Sequence, residues 1–268
     1  MIPIKPSLGT EKAGGAALEG NLVIPTEPKG IILFCHGSGS GRHSTRNRSV
    51  AESLNKDGLA TLLVDLLTPE EEQADIRAQK MQCKIPGLLL NKFNIKLLAR
   101  RVITITEWLS SNNHTRNLVL GYFGASTGAA AALVAAAIVA SDMKNQRELQ
   151  LRLQQASSTG ELEVQSLSKV QLGAIVSRSG RPDLAGLENL SNVKVPTLFI
   201  VGGNDHDQVM SWNKNALKHI GSEKKKIVIV PNASHLFEEP GTLEEVARLA
   251  SGWFRCYFQI MRHQQENR

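Results

Sequence analysis

Three side chains far apart along the sequence could together carry out chemistry: Ser126, Asp205 and His235. Ser126 stands in Gly124-Ala125-Ser126-Thr127-Gly128, after the mostly apolar run Asn117 to Phe123 and before an alanine-rich stretch. A serine between a buried strand and a helix, with glycine two places to either side, has the G-x-S-x-G pattern of a nucleophile elbow. So tight a turn needs flanking positions nearly free of side chain, or strand and helix cannot approach. The alternative is a serine that only caps a helix beside a strand. A hydroxyl is a weak nucleophile until a base takes its proton, so the elbow reading demands a histidine and an orienting acid farther along. Both follow, in the order Ser, Asp, His. Gly202-Gly203-Asn204-Asp205 succeeds the apolar run Thr197 to Val201, and Asn232-Ala233-Ser234-His235 succeeds Lys226 to Val230. In this reading His235 deprotonates Ser126 and later protonates the leaving group, while Asp205 holds the imidazole. Asp207, two residues on, is the rival for the acid.

Acyl transfer also needs N–H donors aimed at the charge that develops on the carbonyl oxygen. Thr127, the residue after the nucleophile, is expected to supply one. The loop His36-Gly37-Ser38-Gly39-Ser40-Gly41 follows the run Ile31 to Cys35, and its Ser38 N–H is the candidate for the other. His36, at the strand end, is expected to brace the loop rather than to act as a base. Arg42 in the same loop and Arg178 after a later strand are candidate substrate-binding residues, and Arg178 or Arg181 could receive a carboxylate. The plainer expectation for Arg181-Pro182-Asp183 is a helix start with local pairing.

Two competing chemistries are weaker. Gly37-x-Gly39 with Asp65 closing the next strand is half of a dinucleotide fingerprint, but position 42 is Arg where the third glycine belongs, and that reading leaves the serine, acid and histidine without a task. Asp205-His206-Asp207 is the densest group of metal-ligand types, yet no H-E-x-x-H accompanies it. No metal and no cofactor are expected.

The elements that must position these residues are short aliphatic runs alternating with longer helical stretches. The expected strands are Leu22 to Ile24, Gly30 to Cys35, Ala60 to Leu66, Asn117 to Phe123, Leu172 to Ser177, Thr197 to Val201 and Lys226 to Val230. The expected helices are Ser49 to Asp57, Phe93 to Ser110, Ser126 to Ala140, Val209 to His219 and Thr242 to Ile260. Continuous rather than alternating apolar runs belong to a sheet covered on both faces, hence a mostly parallel α/β sheet with ligand sites at the carboxyl ends of its strands. The stretch 141–170, rich in glutamine, breaks the rhythm. Its first half can form a helix through Leu149 and Leu153, its second half reads as loop, and the whole is a surface excursion or lid.

Composition removes other classes. With 268 residues, 41% hydrophobic and 21% charged, the chain is expected to be one globular domain, neither disordered nor fibrous. The longest apolar run, Ala129 to Ala140, has 12 residues, short of the roughly 18 of a membrane span. Cysteines 35, 83 and 256 form no C-x-x-C and the N-terminus lacks the apolar core of a signal peptide, so a cytoplasmic location is expected. A net charge of +6 raises nucleic acid as a partner. The basic residues are scattered, however, and an acidic block (Glu70 to Glu72, Asp75) interrupts them, so neither nucleic acid nor membrane is expected. A homo-oligomer is left open.

Longer stretches carry a resemblance. HGSGSGRHSTRN (36–47), GLATLLVDLLTPEEE (58–72), GASTG (124–128), VSRSGRPDLAG (176–186), VGGND (201–205) and ASHLFEEPGTLEEVARLASGWF (233–254) resemble the dienelactone hydrolase-like branch of the α/β-hydrolase superfamily. More narrowly, they resemble small bacterial serine hydrolases sometimes fused to a phosphoribosyltransferase domain. The resemblance implies an eight-stranded-type hydrolase sheet with Ser126, Asp205 and His235 as the triad, and no cofactor. Dienelactone hydrolases proper carry Cys at this elbow, so Ser126 favours ordinary carboxylic esters. The function expected is a short-acyl carboxylesterase, because Ala125 and Thr127 flank the serine and no aromatic-lined segment awaits a fatty tail. Thioesterase or lactonase activity is the alternative within that class; a non-catalytic binding protein on a hydrolase scaffold is the alternative outside it.

Overall fold

The computed structural model describes residues 17–81, 90–156 and 171–267. Its sheet contains seven strands among the described residues: β1 (Gly20–Val23), β2 (Ile31–Cys35), β3 (Ala60–Val64), β4 (Leu120–Ala125), β5 (Leu172–Arg178), β6 (Thr197–Gly202) and β7 (Lys225–Val230), in the order β1-β3-β2-β4-β5-β6-β7. Every neighbouring pair is parallel except β1 with β3. The eight-stranded-type sheet implied by resemblance is thus seven-stranded over this range. Strands β2 to β6 are buried at every residue, which is why their sequences read as unbroken apolar runs, while the edge strands β1 and β7 are partly exposed.

Seven α-helices lie among the described residues: α1 (Thr45–Lys56), α2 (Pro69–Met81), α3 (Ile95–Ser111), α4 (Thr127–Ala156), α5 (Leu187–Asn192), α6 (Asp207–His219) and α7 (Thr242–Glu266). They cover two separate apolar layers. Leu33, Leu62, Tyr122 and Ile175 face one way with the alanines of α4 and the apolar stripe of α3. Phe34, Phe123 and Val176 face the other, against Val50 and Leu54 of α1 and Val246, Ala250, Phe254 and Phe258 of α7. The α7 residues recur every four positions, the spacing that places a single stripe on one helix face. Each buried phenylalanine contributes about 2–3 kcal/mol from burial alone.

Two helices were not expected. α2 has only a weak apolar face, but its start is written in Thr68-Pro69-Glu70-Glu71: the Thr68 N–H donates to Glu71 Oε2 (2.9 Å) and the Glu71 N–H to Thr68 Oγ1 (3.3 Å). That is a reciprocal capping box with proline at the first helical position. α5 is too short to show a period. α4 begins as expected but runs on to Ala156, so the first half of the 141–170 excursion continues the helix; residues 157–170 lie outside the described residues.

β2 sits between β3 and β4, so successive chain segments leave it in opposite directions across the sheet. A crevice opens at the carboxyl ends of strands where the order reverses in this way. Cys35 pairs with Gly124 there, which sets the loop after β2 beside the turn after β4.

Candidate active site

Ser126 occupies the one-residue turn between β4 and α4 with φ of 49°, a left-handed conformation that costs a non-glycine residue about 1–2 kcal/mol. The main chain holds it there. Its N–H donates to the Arg178 carbonyl (3.2 Å), and its carbonyl accepts from the N–H groups of Ala129 (3.1 Å) and Arg181 (3.0 Å). The glycines of the motif are sterically required. A Cβ on Gly124 would lie 2.4 Å from Ala129 Cα, and one on Gly128 would lie 2.1 Å from the Cys35 carbonyl oxygen. Ser126 is partly exposed amid buried neighbours and adjoins the positive N-terminal end of α4.

The loops after β6 and β7 are laced together by main-chain bonds, with Gly203 N–H donating to Val230 O (2.8 Å) and Asn204 N–H to Ala233 O (2.9 Å). That lacing brings Asp205 to His235. The histidine Nδ1 lies 3.0 Å from each carboxylate oxygen of Asp205. The remaining acceptor capacity is also filled: the His206 N–H donates to Oδ1 (2.8 Å) and the Ser179 hydroxyl to Oδ2 (2.6 Å). Asp205's side chain is fully buried, which pushes its pKa up. The donors from His235, Ser179 and His206, with the charge of His235, outweigh that and hold the carboxyl below the usual range. His235 keeps 32% of its side chain open. With Nδ1–H committed to a carboxylate, its Nε2 is left as the acceptor. Asp207 instead lies exposed in the first turn of α6.

The loop after β2 carries the other expected donor. The Ser38 N–H donates to Thr127 Oγ1 (2.9 Å), tying this loop to the start of α4 and placing Ser38 and Thr127 side by side. His36 is buried beneath them: its Nε2 accepts the Leu66 N–H (2.8 Å) and its Nδ1 lies 3.0 Å from the Gly37 carbonyl, which places the proton on Nδ1. Burial pushes its pKa down against smaller upward contributions from Gly37 and Asp65. A neutral, doubly engaged imidazole of this kind braces the loop, as expected.

The arginines divide. Arg42 is occupied by ion pairs with Asp65 and Glu19, and its N–H donates to Asp65 Oδ1 (2.6 Å), so its guanidinium closes the end of β3. Arg181 pairs locally with Asp183 (2.8 Å) and stacks over Trp212, 4.0 Å from the ring centre. Arg178 is buried, and its Nε and Nη1 have no hydrogen-bond partner. Burial, then repulsion from Arg46, lowers its pKa to about 10. A cleft of about 500 Å³ adjoins Ser38 and Thr127 and is walled by His43, Arg46, Asp65 and Leu67, with Ile76 of α2 among its outer residues. Among the described residues no group of three His, Cys, Asp or Glu is placed to hold a metal ion, and no helix is long and apolar enough to cross a membrane.

No family model matches the chain. A solved dienelactone hydrolase from Anabaena variabilis is 46% identical, with 95% of this chain and 98% of that one covered and a TM-score of 0.74. The chain belongs to the dienelactone hydrolase family. By family and by fold it is an α/β-hydrolase. The esterase Est1E from Butyrivibrio proteoclasticus, 13% identical with a TM-score of 0.63 over 94% of this chain and 97% of that one, shares the fold. A putative phosphoribosyl transferase from Mycobacterium tuberculosis is 47% identical over 242 residues, 90% of this chain; the hydrolase spans 44% of that relative's length.

Sequence reasoning missed Ser179, Arg46 and Glu239 as parts of the site. Glu239 accepts the Ser234 N–H (3.0 Å) and so shapes the turn that presents His235. Ser179 and Arg46 matter only through partners on distant segments, Asp205 and Glu238, and Glu239 through a loop contact five residues back that follows no motif.

Proposed function

We propose that this hydrolase cleaves carboxylic esters with short acyl groups through an acyl-enzyme on Ser126. His235 Nε2 takes the Ser126 proton as Oγ attacks the carbonyl carbon, and Asp205 fixes the ring and stabilises the imidazolium that forms. The tetrahedral oxygen is received by the Thr127 N–H and by the Ser38 N–H, which exchanges Thr127 Oγ1 for the substrate oxygen. The imidazolium then protonates the leaving alcohol, and water repeats the sequence on the acyl-enzyme. The observation that carries the reading is the doubly hydrogen-bonded, fully buried Asp205 carboxylate on His235, at the same carboxyl edge of the sheet as the strained Ser126.

A fluorophosphonate probe and a p-nitrophenyl ester series from acetate to palmitate test it. Covalent labelling lost in Ser126→Ala, with rates falling along the series, is the expected result. Absence of labelling in folded protein makes the chain a binding protein on a hydrolase scaffold, and a maximum at long chains overturns the acyl preference. Thioester and lactone substrates belong in the same panel.

Arg178 favours a narrower substrate class within this reading. A buried guanidinium with two unpartnered nitrogens is costly until an anion meets it, so the substrate carries a carboxylate. Matched anionic and neutral esters should differ in kcat/KM by about tenfold or more in favour of the anion, and Arg178→Met should erase the difference. Equal rates on the pair would remove Arg178 from substrate recognition. Residues 1–268 act as a single hydrolase domain, in a reducing cytoplasmic setting consistent with free Cys35 and Cys256. The ester chemistry is assigned to this unit and not to the remaining length of the curated relative.

A further inference from the structure

We infer that Ser179 is a positioning residue for the acid and histidine: its hydroxyl fixes the Asp205 carboxylate against His235 and tempers its charge. The inference rests on the triad reading above. Ser179 is 1% exposed and adopts φ of 38°, a left-handed conformation that glycine reaches without strain. Strain of this kind persists where the surroundings require it. What the side chain contributes is one bond, Oγ to Asp205 Oδ2 at 2.6 Å, the shortest of the contacts to that carboxylate. Its own N–H is spent on the Ile200 carbonyl (2.8 Å), anchoring Ser179 to the strand that delivers Asp205.

The neighbours of Ser179 hold the nucleophile. The Arg178 carbonyl accepts the Ser126 N–H and the Arg181 N–H donates to the Ser126 carbonyl, while the Gly180 carbonyl accepts from Asn213 Nδ2 (3.0 Å) in α6. One four-residue segment therefore grips the elbow by its main chain and the acid by a hydroxyl, so the two ends of the proton relay keep a common reference. Electrostatics give the hydroxyl a second effect. Asp205 is out of water, so its charge is spread only by the donors that reach it. Without the Ser179 hydroxyl, Oδ2 would face the imidazole alone. More of the carboxylate charge would then fall on the imidazole, and the ring orientation that Ser126 requires would rest on one contact fewer.

Two variants separate this role from simple packing. Ser179→Ala removes the hydroxyl and keeps the left-handed strain; Ser179→Gly removes both. The full chain is assayed on p-nitrophenyl acetate across pH, and the His235 Nδ1–H proton resonance, which reports its bond to Asp205, is recorded by NMR in the same proteins. Both variants should lose kcat by about tenfold with KM within about twofold, the loss of one hydrogen bond to a charged group. In both, the acid limb of kcat/KM should move to higher pH and the His235 Nδ1–H resonance should shift from its position in the parent. The glycine variant should melt above the alanine variant, yet the kinetic defect should be equal. A pH profile and kcat that match the parent within about twofold overturn the inference, as does activity that recovers in step with the melting temperature. If the parent hydrolyses no ester, the triad reading fails by itself, and the His235 Nδ1–H resonance still decides the role of Ser179.

Discussion

At the ends of β2 and β4 the proposed reactive geometry is set largely by the main chain, whereas at the ends of β6 and β7 main-chain bonds join the two loops and hydrogen bonds among side chains then fix Asp205 on His235. Ser126 is held by three main-chain bonds and by glycines whose replacement would collide with backbone atoms. Asp205 is held by a hydroxyl, an imidazole and one amide around a carboxylate with no exposure to water. Backbone positioning tolerates no added atom but is indifferent to charge. Side-chain positioning is the reverse: space is negotiable, while loss of one donor leaves a buried charge short of partners, at a cost of several kcal/mol when pairing fails altogether.

The largest effect should come from breaking the side-chain half. Asp205→Asn keeps the shape and removes the charge, so His235 loses the reason to keep its proton on Nδ1 and presents the wrong tautomer to Ser126. In a Ser-His-Asp relay that change costs about 10⁴-fold in kcat. Ester hydrolysis by the purified variant should fall by that order while its circular dichroism stays that of the parent. A loss below about tenfold would show that the relay runs without this acid. The backbone half breaks differently. Gly128→Ala drives a methyl to 2.1 Å from the Cys35 carbonyl, and the strand and helix must part to admit it. Overpacking of this kind costs about 3 kcal/mol, measured as a lower urea midpoint, with activity lost because less protein is folded. Unchanged stability would mean that the elbow yields more readily than its contacts imply.

The same division explains what could be read from the amino-acid order. β2 to β6 were visible because burial on both faces forces unbroken apolar runs, and the elbow because close packing demands glycine at fixed offsets from Ser126. Asp205 and His235 drew attention through their places just past strand ends, but which of Asp205 and Asp207 reaches His235 depends on main-chain bonds between the β6 and β7 loops, which leave no local trace. α2 was missed because its face is weakly apolar, although Thr68 and Glu71 spell a capping box that a search for caps rather than periods would have caught. Arg42 drew attention as a cation beside the glycine loop; its pairing with Asp65 and Glu19 depends on the antiparallel placement of β1 next to β3. Ser179 lay just past a legible strand, yet its partner is 26 residues away.

His36 offers a smaller, graded test of the backbone half, since its ring braces the loop that carries Ser38. The folded state lowers its pKa below the ordinary histidine value, so the unfolded chain binds the proton more tightly. Stability is therefore fully present above about pH 6.5 and is lost as pH falls toward the depressed folded value, by up to about 1.4 kcal/mol per pH unit. In His36→Gln that component is absent, so urea unfolding at pH 7 and pH 5 should show a smaller drop for the variant than for the parent. Equal drops would mean that another group carries the acid sensitivity.

The smallest effect places the two halves on one scale. Ser126 and Ser179 both sit at positive φ, 49° and 38°, and glycine relieves either by about 0.5–1 kcal/mol. Ser126→Gly should gain that amount, because the bonds that hold the elbow are main-chain bonds that the variant keeps. Ser179→Gly gains the same relief but gives up a hydroxyl bonded to a buried carboxylate, a loss of about 1.5–3 kcal/mol, so its net change should be destabilising. Thermal midpoints of the two variants should thus move in opposite directions from the parent. If both rise, the Ser179 hydroxyl adds little to the hold on Asp205; if both fall, the elbow depends on the Ser126 side chain, and the contrast between a backbone-built and a side-chain-built half dissolves.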